Sequence, residues 1–114
     1  MRRFIPKLQL TRRPVERVLR VRSQSEARKQ VTHEGTFALV VPDRTPKSLV
    51  FQCPCGCGDV ISLNLMRGST RAWRLSISRG GRLSLSPSVD RTTGCRSHFW
   101  IIDGEVHLYR LRRA

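Results

Sequence analysis

The sequence predicts a mainly β protein, with a small antiparallel β domain of about seven short strands. Two observations support this fold class. From residue 35 onward, apolar residues alternate with polar ones, which is typical of strands that bury one face. Turn-forming pairs, Pro42-Asp43, Gly80-Gly81 and Asp103-Gly104, separate these runs. A length of 114 residues is typical of one small core.

The first third of the chain differs from the rest and predicts a basic, partly helical N-terminal arm at residues 1–34, before a β domain at 35–114. Residues 1–35 carry ten Lys or Arg against three acidic residues, a net charge of +7. Pro14 can begin a helix in which Val15, Val18 and Leu19 share one face, and this interpretation is favoured. The alternative is a basic strand, because Leu19 alternates with arginines. Residues 23–29 are predicted to form either a further helical turn or a linker.

The β domain contains seven strand candidates. The longest apolar run is at 36–41, and Val106 and its alternating neighbours form the last candidate. In chain order, the candidates lie at 36–41, 49–53, 61–65, 73–77, 83–85, 99–102 and 106–111.

The cysteines predict a metal site that staples the domain. Zinc takes four thiolate or imidazole ligands, usually from two short segments on separate turns. The sequence CPCGCG at 53–58 supplies one segment, and CRSH at 95–98 supplies the other. One zinc per chain is therefore expected, with five candidate ligands for four positions. Cys95 and His98 are the firmest candidates, and the sequence does not decide which of the three cysteines at 53–57 is spare. The five candidate ligands are Cys53, Cys55, Cys57, Cys95 and His98.

Other uses of these cysteines fit the sequence less well. A Rieske iron–sulfur centre would need a C-x-H pair where this chain has C-x-C. Disulfides need an oxidising compartment, whereas the chain shows no secretory signal and no apolar run of membrane-spanning length. A cytoplasmic location without a membrane partner is expected. Ser84, Ser86 and Ser88 are interpreted as the solvent face of a strand. No catalytic constellation is recognised, so the chain is not expected to be an enzyme.

The charge predicts an anionic partner. The net charge is +14, and 19 of the 22 basic residues are arginine, whose planar side chain suits phosphate. Nucleic acid or an acidic protein surface is the expected partner. Trp73, Trp100 and Phe4 are possible base-stacking groups, although core positions fit them better. The predicted phosphate-binding stripe consists of Arg12, Arg13, Arg17, Arg20 and Arg22.

Four spaced motifs resemble those of a small bacterial and phage family that is described as a metal-binding domain without an assigned function. They are CPCGCG, Trp73, the LSLSPS run at 83–88, and CRSHFWI at 95–101. The resemblance covers about residues 35–110 and implies a metal-stapled β domain. Some relatives lie near bacterial ubiquitin-like conjugation genes, which implies an accessory role in such a system.

The function that follows from sequence is a structural zinc module that presents a basic surface to nucleic acid, as a subunit of a larger assembly with other protein subunits. The alternative is a protein-interaction adaptor, for example accessory to a bacterial ubiquitin-like conjugation system. A third hypothesis is an enzyme with a catalytic metal, which requires one ligand position to be held by water.

Overall fold

The computed structural model describes residues 7–68, 71–91 and 94–112. The prediction of a mainly β protein is confirmed, and the seven strands expected after residue 35 are present. The elements, in chain order, are β1 (Lys7–Pro14), β2 (Arg17–Val21), α1 (Gln24–Gln30), β3 (Thr36–Val40), β4 (Ser48–Gln52), β5 (Val60–Asn64), β6 (Arg74–Ile77), β7 (Leu83–Asp90), β8 (His98–Ile102) and β9 (Glu105–Arg112).

The strands form two sheets that share one core. The five-stranded sheet has the order β1-β9-β8-β7-β6 and is antiparallel throughout, whereas the four-stranded sheet has the order β2-β3-β4-β5 with a parallel β2–β3 pair. Phe37 stacks on Phe51 at a centroid distance of 4.5 Å, and Phe51 meets Phe99 of the other sheet edge-on at 5.8 Å. Each buried phenylalanine stabilises the fold by roughly 1.5–3 kcal/mol.

The helix that was favoured around Pro14–Arg20 is wrong, because Arg17–Val21 is a strand. Strand β3 is buried along its whole length, and β4 covers only one of its two edges, so the other edge needs a second partner. Arg17–Val21 supplies that partner in parallel register. The helix lies later, at Gln24–Gln30, where the Ser23 side chain accepts a hydrogen bond from the Glu26 backbone N–H. Tertiary pairing therefore outweighed the local helical pattern.

The basic arm contributes a strand to the edge of each sheet. Strand β1 pairs with β9 over its full length, and β2 pairs with β3. Helix α1 packs on the outside of the four-stranded sheet, where its buried Ala27 contacts a second apolar cluster with Val31, Val40 and Val50. The division of the chain at residue 34 into an N-terminal arm and a β domain stays a prediction.

Candidate functional site

The cysteine cluster, which we define as Cys53, Cys55, Cys57 and Cys95, forms between two connections. The first three cysteines lie in the turn from β4 to β5, and Cys95 lies in the connection from β7 to β8. Gly56 and Gly58 have φ of +87° and +86°, a conformation that favours glycine and lets the turn fold back tightly. The turn closes where the Cys53 backbone N–H donates to the Asp59 carbonyl at 2.8 Å.

The four sulfur atoms are close enough to bind one metal ion. All four Sγ atoms lie within 4.8 Å of one another, with 3.4 Å between Cys53 and Cys55 and 3.5 Å between Cys53 and Cys95. A tetrahedral ion with metal–sulfur bonds of about 2.3 Å needs sulfur–sulfur distances of roughly 3.8 Å. The geometry therefore groups all three cysteines of CPCGCG with Cys95.

Polar neighbours surround the cysteine cluster and can stabilise negative charge on its sulfur atoms. The Arg91 guanidinium donates to the sulfur of Cys95 at 3.4 Å and of Cys57 at 3.7 Å, and it also binds the Asp59 carboxylate at 3.1 Å. The buried Ser97 hydroxyl lies 3.1 Å from the Cys95 sulfur. A cation and a hydroxyl at these positions can offset the negative charge that several thiolates bring to a metal.

The thiols differ in how easily they ionise. Burial opposes ionisation of Cys95, but the hydrogen bonds from the side chain and backbone of Ser97, followed by those with Cys55 and Cys53, together outweigh it and lower the pKa of Cys95 to about 6. Burial and then the hydrogen bond with Cys53 raise the pKa of Cys55. The thiolate of Cys95 therefore forms more readily than that of Cys55, and metal binding would displace the protons that remain.

The structure does not bring His98 into the cysteine cluster. Its Nε2 atom lies 2.7 Å from the Oγ atom of Ser88, within hydrogen-bonding distance. We call these two residues the Ser–His pair. The flat ring of His98 also stacks on Trp100 at a centroid distance of 4.2 Å, and Trp100 meets Tyr109 edge-on at 4.8 Å. The imidazole is thus held both through its nitrogen and through its face.

A bulge in β7 positions Ser88. Leu85 lies opposite Ile101, and Val89 lies opposite Phe99. Between these two pairs, β7 has three residues, 86–88, whereas β8 has only Trp100. Such bulges change the direction of a side chain and are frequent beside active sites. The sequence alone offers one way to predict this contact. If Asp90 pairs with His98 across the connection that contains Gly94, Ser88 and His98 become diagonal neighbours on adjacent strands.

The same connection links the two sites. Residues 91–97 run from the strand of Ser88 to the strand of His98, and a backbone hydrogen bond of 2.9 Å from Arg91 N–H to the Ser97 carbonyl closes it. Cys95 lies in this connection, between Ser88 and His98 in the sequence. A metal bound to Cys95 would therefore be held two residues along the chain from Ser97 and three residues from His98.

The five arginines of the predicted stripe are exposed, but they lie on different sheets. Arg12 and Arg13 lie on β1, where Arg13 forms an ion pair with Glu34 and Arg12 lies 4.0 Å from Glu105. The remaining three lie on β2 or directly after it: Arg17, Arg20 and Arg22.

The aromatic residues considered for base stacking have other surroundings. Trp73 packs against the main core, and Trp100 belongs to the ring stack beside the Ser–His pair. Phe4 lies outside the described residues.

The chain is a two-sheet β protein in which one connection joins a four-cysteine cluster to a Ser–His pair. The family described as "Bacterial ubiquitination-like system serine protease (BubE)" matches residues 23–109, and the chain belongs to this family. No curated protein and no solved structure matches the chain. The family description does not fit the expectation of a plainly non-enzymatic protein, and it names a system in which partners are proteins. Nothing in it points to nucleic acid.

Among residues 7–68, 71–91 and 94–112, the structure contains no helix with the length and hydrophobicity of a membrane span.

Proposed function

We propose that this chain is a serine protease of a bacterial ubiquitination-like system, with Ser88 as nucleophile and His98 as general base. The observation that carries the proposal is the 2.7 Å contact between Ser88 Oγ and His98 Nε2. A serine within hydrogen-bonding reach of an imidazole that is itself held in place is the arrangement that activates a hydroxyl. The family description supports the same reaction class.

The reaction assigned to the Ser–His pair is acyl transfer followed by hydrolysis. Ser88 Oγ attacks the carbonyl carbon of the scissile bond while its proton passes to His98 Nε2. The carbon–nitrogen bond then breaks, and His98 returns this proton to the departing amine. Water attacks the acyl-Ser88 ester, gives one proton to His98, and releases the acid as the carbon–Oγ bond breaks. The proton on His98 then returns to Ser88 Oγ.

The surroundings of His98 suit this role. Nε2 accepts the Ser88 proton only when the neutral ring carries its proton on Nδ1. Stacking on Trp100 fixes the plane of the ring, so the nitrogen stays directed at Ser88. Both reacting side chains are partly exposed, which leaves a substrate access to them.

We further propose that the cysteine cluster binds one zinc ion with a structural role. Four thiolates complete a tetrahedral shell, which is typical of structural zinc and leaves no position for a reacting water. Bound zinc would supply a cross-link between the β4–β5 and β7–β8 connections. Cys53, Cys55, Cys57 and Cys95 would hold it, while Arg91 and Ser97 stabilise the thiolates. Such a site requires a reducing compartment, which fits a cytoplasmic protein.

The experiment that tests the protease proposal uses a pool of fluorogenic tetrapeptide amides with all four positions randomised. We expect turnover by the purified protein and a loss of at least about a thousandfold in Ser88→Ala and in His98→Gln. Ser76→Ala, an exposed serine on the neighbouring strand β6, is the matched control and should retain activity. Equal turnover in Ser88→Ala and Ser76→Ala would refute Ser88 as the nucleophile.

Two non-enzymatic functions give different results in the same preparation. A protein adaptor of the ubiquitination-like system would hydrolyse no peptide, and its binding to a partner would be insensitive to Ser88→Ala. A nucleic-acid partner rests on the net charge of +14 and the exposed arginines of β1 and β2. If about six arginines neutralise phosphates, the logarithm of the binding constant falls with the logarithm of salt at a slope of about −4 to −5.

A further inference from the structure

The Ser–His pair opens onto one face of the five-stranded sheet. Val89 and Phe99, which neighbour the pair along β7 and β8, are buried on the opposite face and fill the core. A substrate carbonyl can therefore reach Ser88 Oγ only from the outward face, where His98 and Trp100 also lie.

Apolar and aromatic side chains continue along this outward face from the pair. Trp100 contacts both the His98 ring and the Tyr109 ring, and Ile102 follows on the same face with half of its surface exposed, 50%. We call Trp100, Ile102 and Tyr109 the apolar ridge. Such an exposed isoleucine next to packed aromatic rings is typical of a contact surface, because the rings are already rigid and lose little entropy on binding.

Polar side chains mark where the apolar ridge ends. His107 lies opposite Trp100 and contacts Glu105 at 3.0 Å, and Glu105 lies opposite Ile102 and 4.0 Å from Arg12. An apolar core beside a polar rim is the usual anatomy of a protein-binding surface. The apolar ridge is continuous with the Ser–His pair on one side and bounded by these polar side chains on the other.

We propose that the apolar ridge binds an extended segment of the protein substrate, with an aliphatic or aromatic side chain within a few residues of the bond that Ser88 cleaves. This inference rests on the proposed protease function and names the class of substrate for it. The ridge would hold that side chain against Trp100 and Ile102 while the adjoining carbonyl lies over Ser88.

The test uses the fluorogenic tetrapeptide library, now with one position fixed at a time as leucine, phenylalanine, serine or aspartate. We expect leucine or phenylalanine at one position to raise kcat/KM at least about tenfold over serine or aspartate. Ile102→Ser should raise KM for the preferred peptide about fivefold to tenfold and lower kcat by less. Ile77→Ser, which changes a similarly exposed isoleucine (45%) on the edge strand β6, is the matched control and should leave KM unchanged.

Labelling of the wild-type protein with a fluorophosphonate separates the two ways in which the proposal can fail. If Ser88 is labelled and peptides are cleaved, but no position prefers an apolar residue or Ile102→Ser behaves like Ile77→Ser, the apolar ridge is not the substrate surface and the protease function stands. If Ser88 is not labelled and no peptide is cleaved, the protease function and this inference fall together.

Discussion

Removing the metal from the cysteine cluster should lower the melting temperature substantially. The metal would join Cys57 to Cys95 and so close a loop of about 40 residues, in addition to fixing the Cys53–Cys57 turn. A cross-link that closes a loop of this length restricts the unfolded chain by about 4 kcal/mol at 25 °C in the loop-entropy treatment. With an unfolding entropy of about 2.1 cal/mol/K per residue, a 114-residue chain would lose roughly 15 °C in melting temperature.

The assay for this prediction is differential scanning calorimetry with and without a chelator that competes for zinc, under reducing conditions. Restoring one equivalent of zinc should restore the original melting temperature. Cys57→Ser, which changes an exposed member of the cluster, should show the lowered melting temperature without a chelator. A change below about 5 °C in both experiments would refute the idea that a metal cross-links the two connections.

Three further predictions concern individual side chains. His98→Gln should retain a full equivalent of metal by elemental analysis, since its ring bonds to Ser88, and a metal content near zero would return His98 to the ligand set. Arg91→Met should weaken zinc binding about tenfold to a hundredfold in a competition titration, because the Arg91 guanidinium contacts two sulfur atoms of the cysteine cluster. Arg79→Met, which changes an exposed arginine, is the control, and equal zinc affinities of the two variants would contradict the role of Arg91. Phe99→Ala should lower the free energy of unfolding by about 3–5 kcal/mol in urea titrations, because the side chain is fully buried against Phe51; a loss below about 1 kcal/mol would contradict the shared core.

Much of the β domain could be predicted because its signals are local. The apolar run that precedes Pro42-Asp43 forms β3, and Asp103-Gly104 forms the β8–β9 hairpin turn with φ of 48° and 77°. Both residues of this turn have positive φ, as the two-residue turn that fits twisted strands requires. These patterns depend on near neighbours in the sequence.

The N-terminal strands could not be predicted in the same way because their partners are distant. Strand β1 lies at one edge of the sheet and pairs with β9 at the other end of the chain. Val18 and Leu19 fit either a helical face or a strand, and the edge of the buried strand β3 that β4 does not cover decides between them. No property of residues 14–22 alone contains that information.

The sequence predicts which residue types bind at the candidate site, but only partly which residues come together there. Spacing alone singled out the cysteines, but it assigned His98 to them because Cys95 lies three residues away. The bulge at 86–88 instead directs Ser88 to the His98 ring. Because a bulge changes which side chains meet without changing the alternating pattern, Ser88 was interpreted as an ordinary solvent-facing serine.

Whether His98 activates Ser88 can be measured by intact-mass spectrometry after incubation with a fluorophosphonate. We expect one adduct per chain, mapped to Ser88 by peptide sequencing, and no adduct in His98→Gln over the same time. An adduct on a different serine, or labelling of Ser88 at the same rate without the His98 ring, would show that His98 does not activate Ser88.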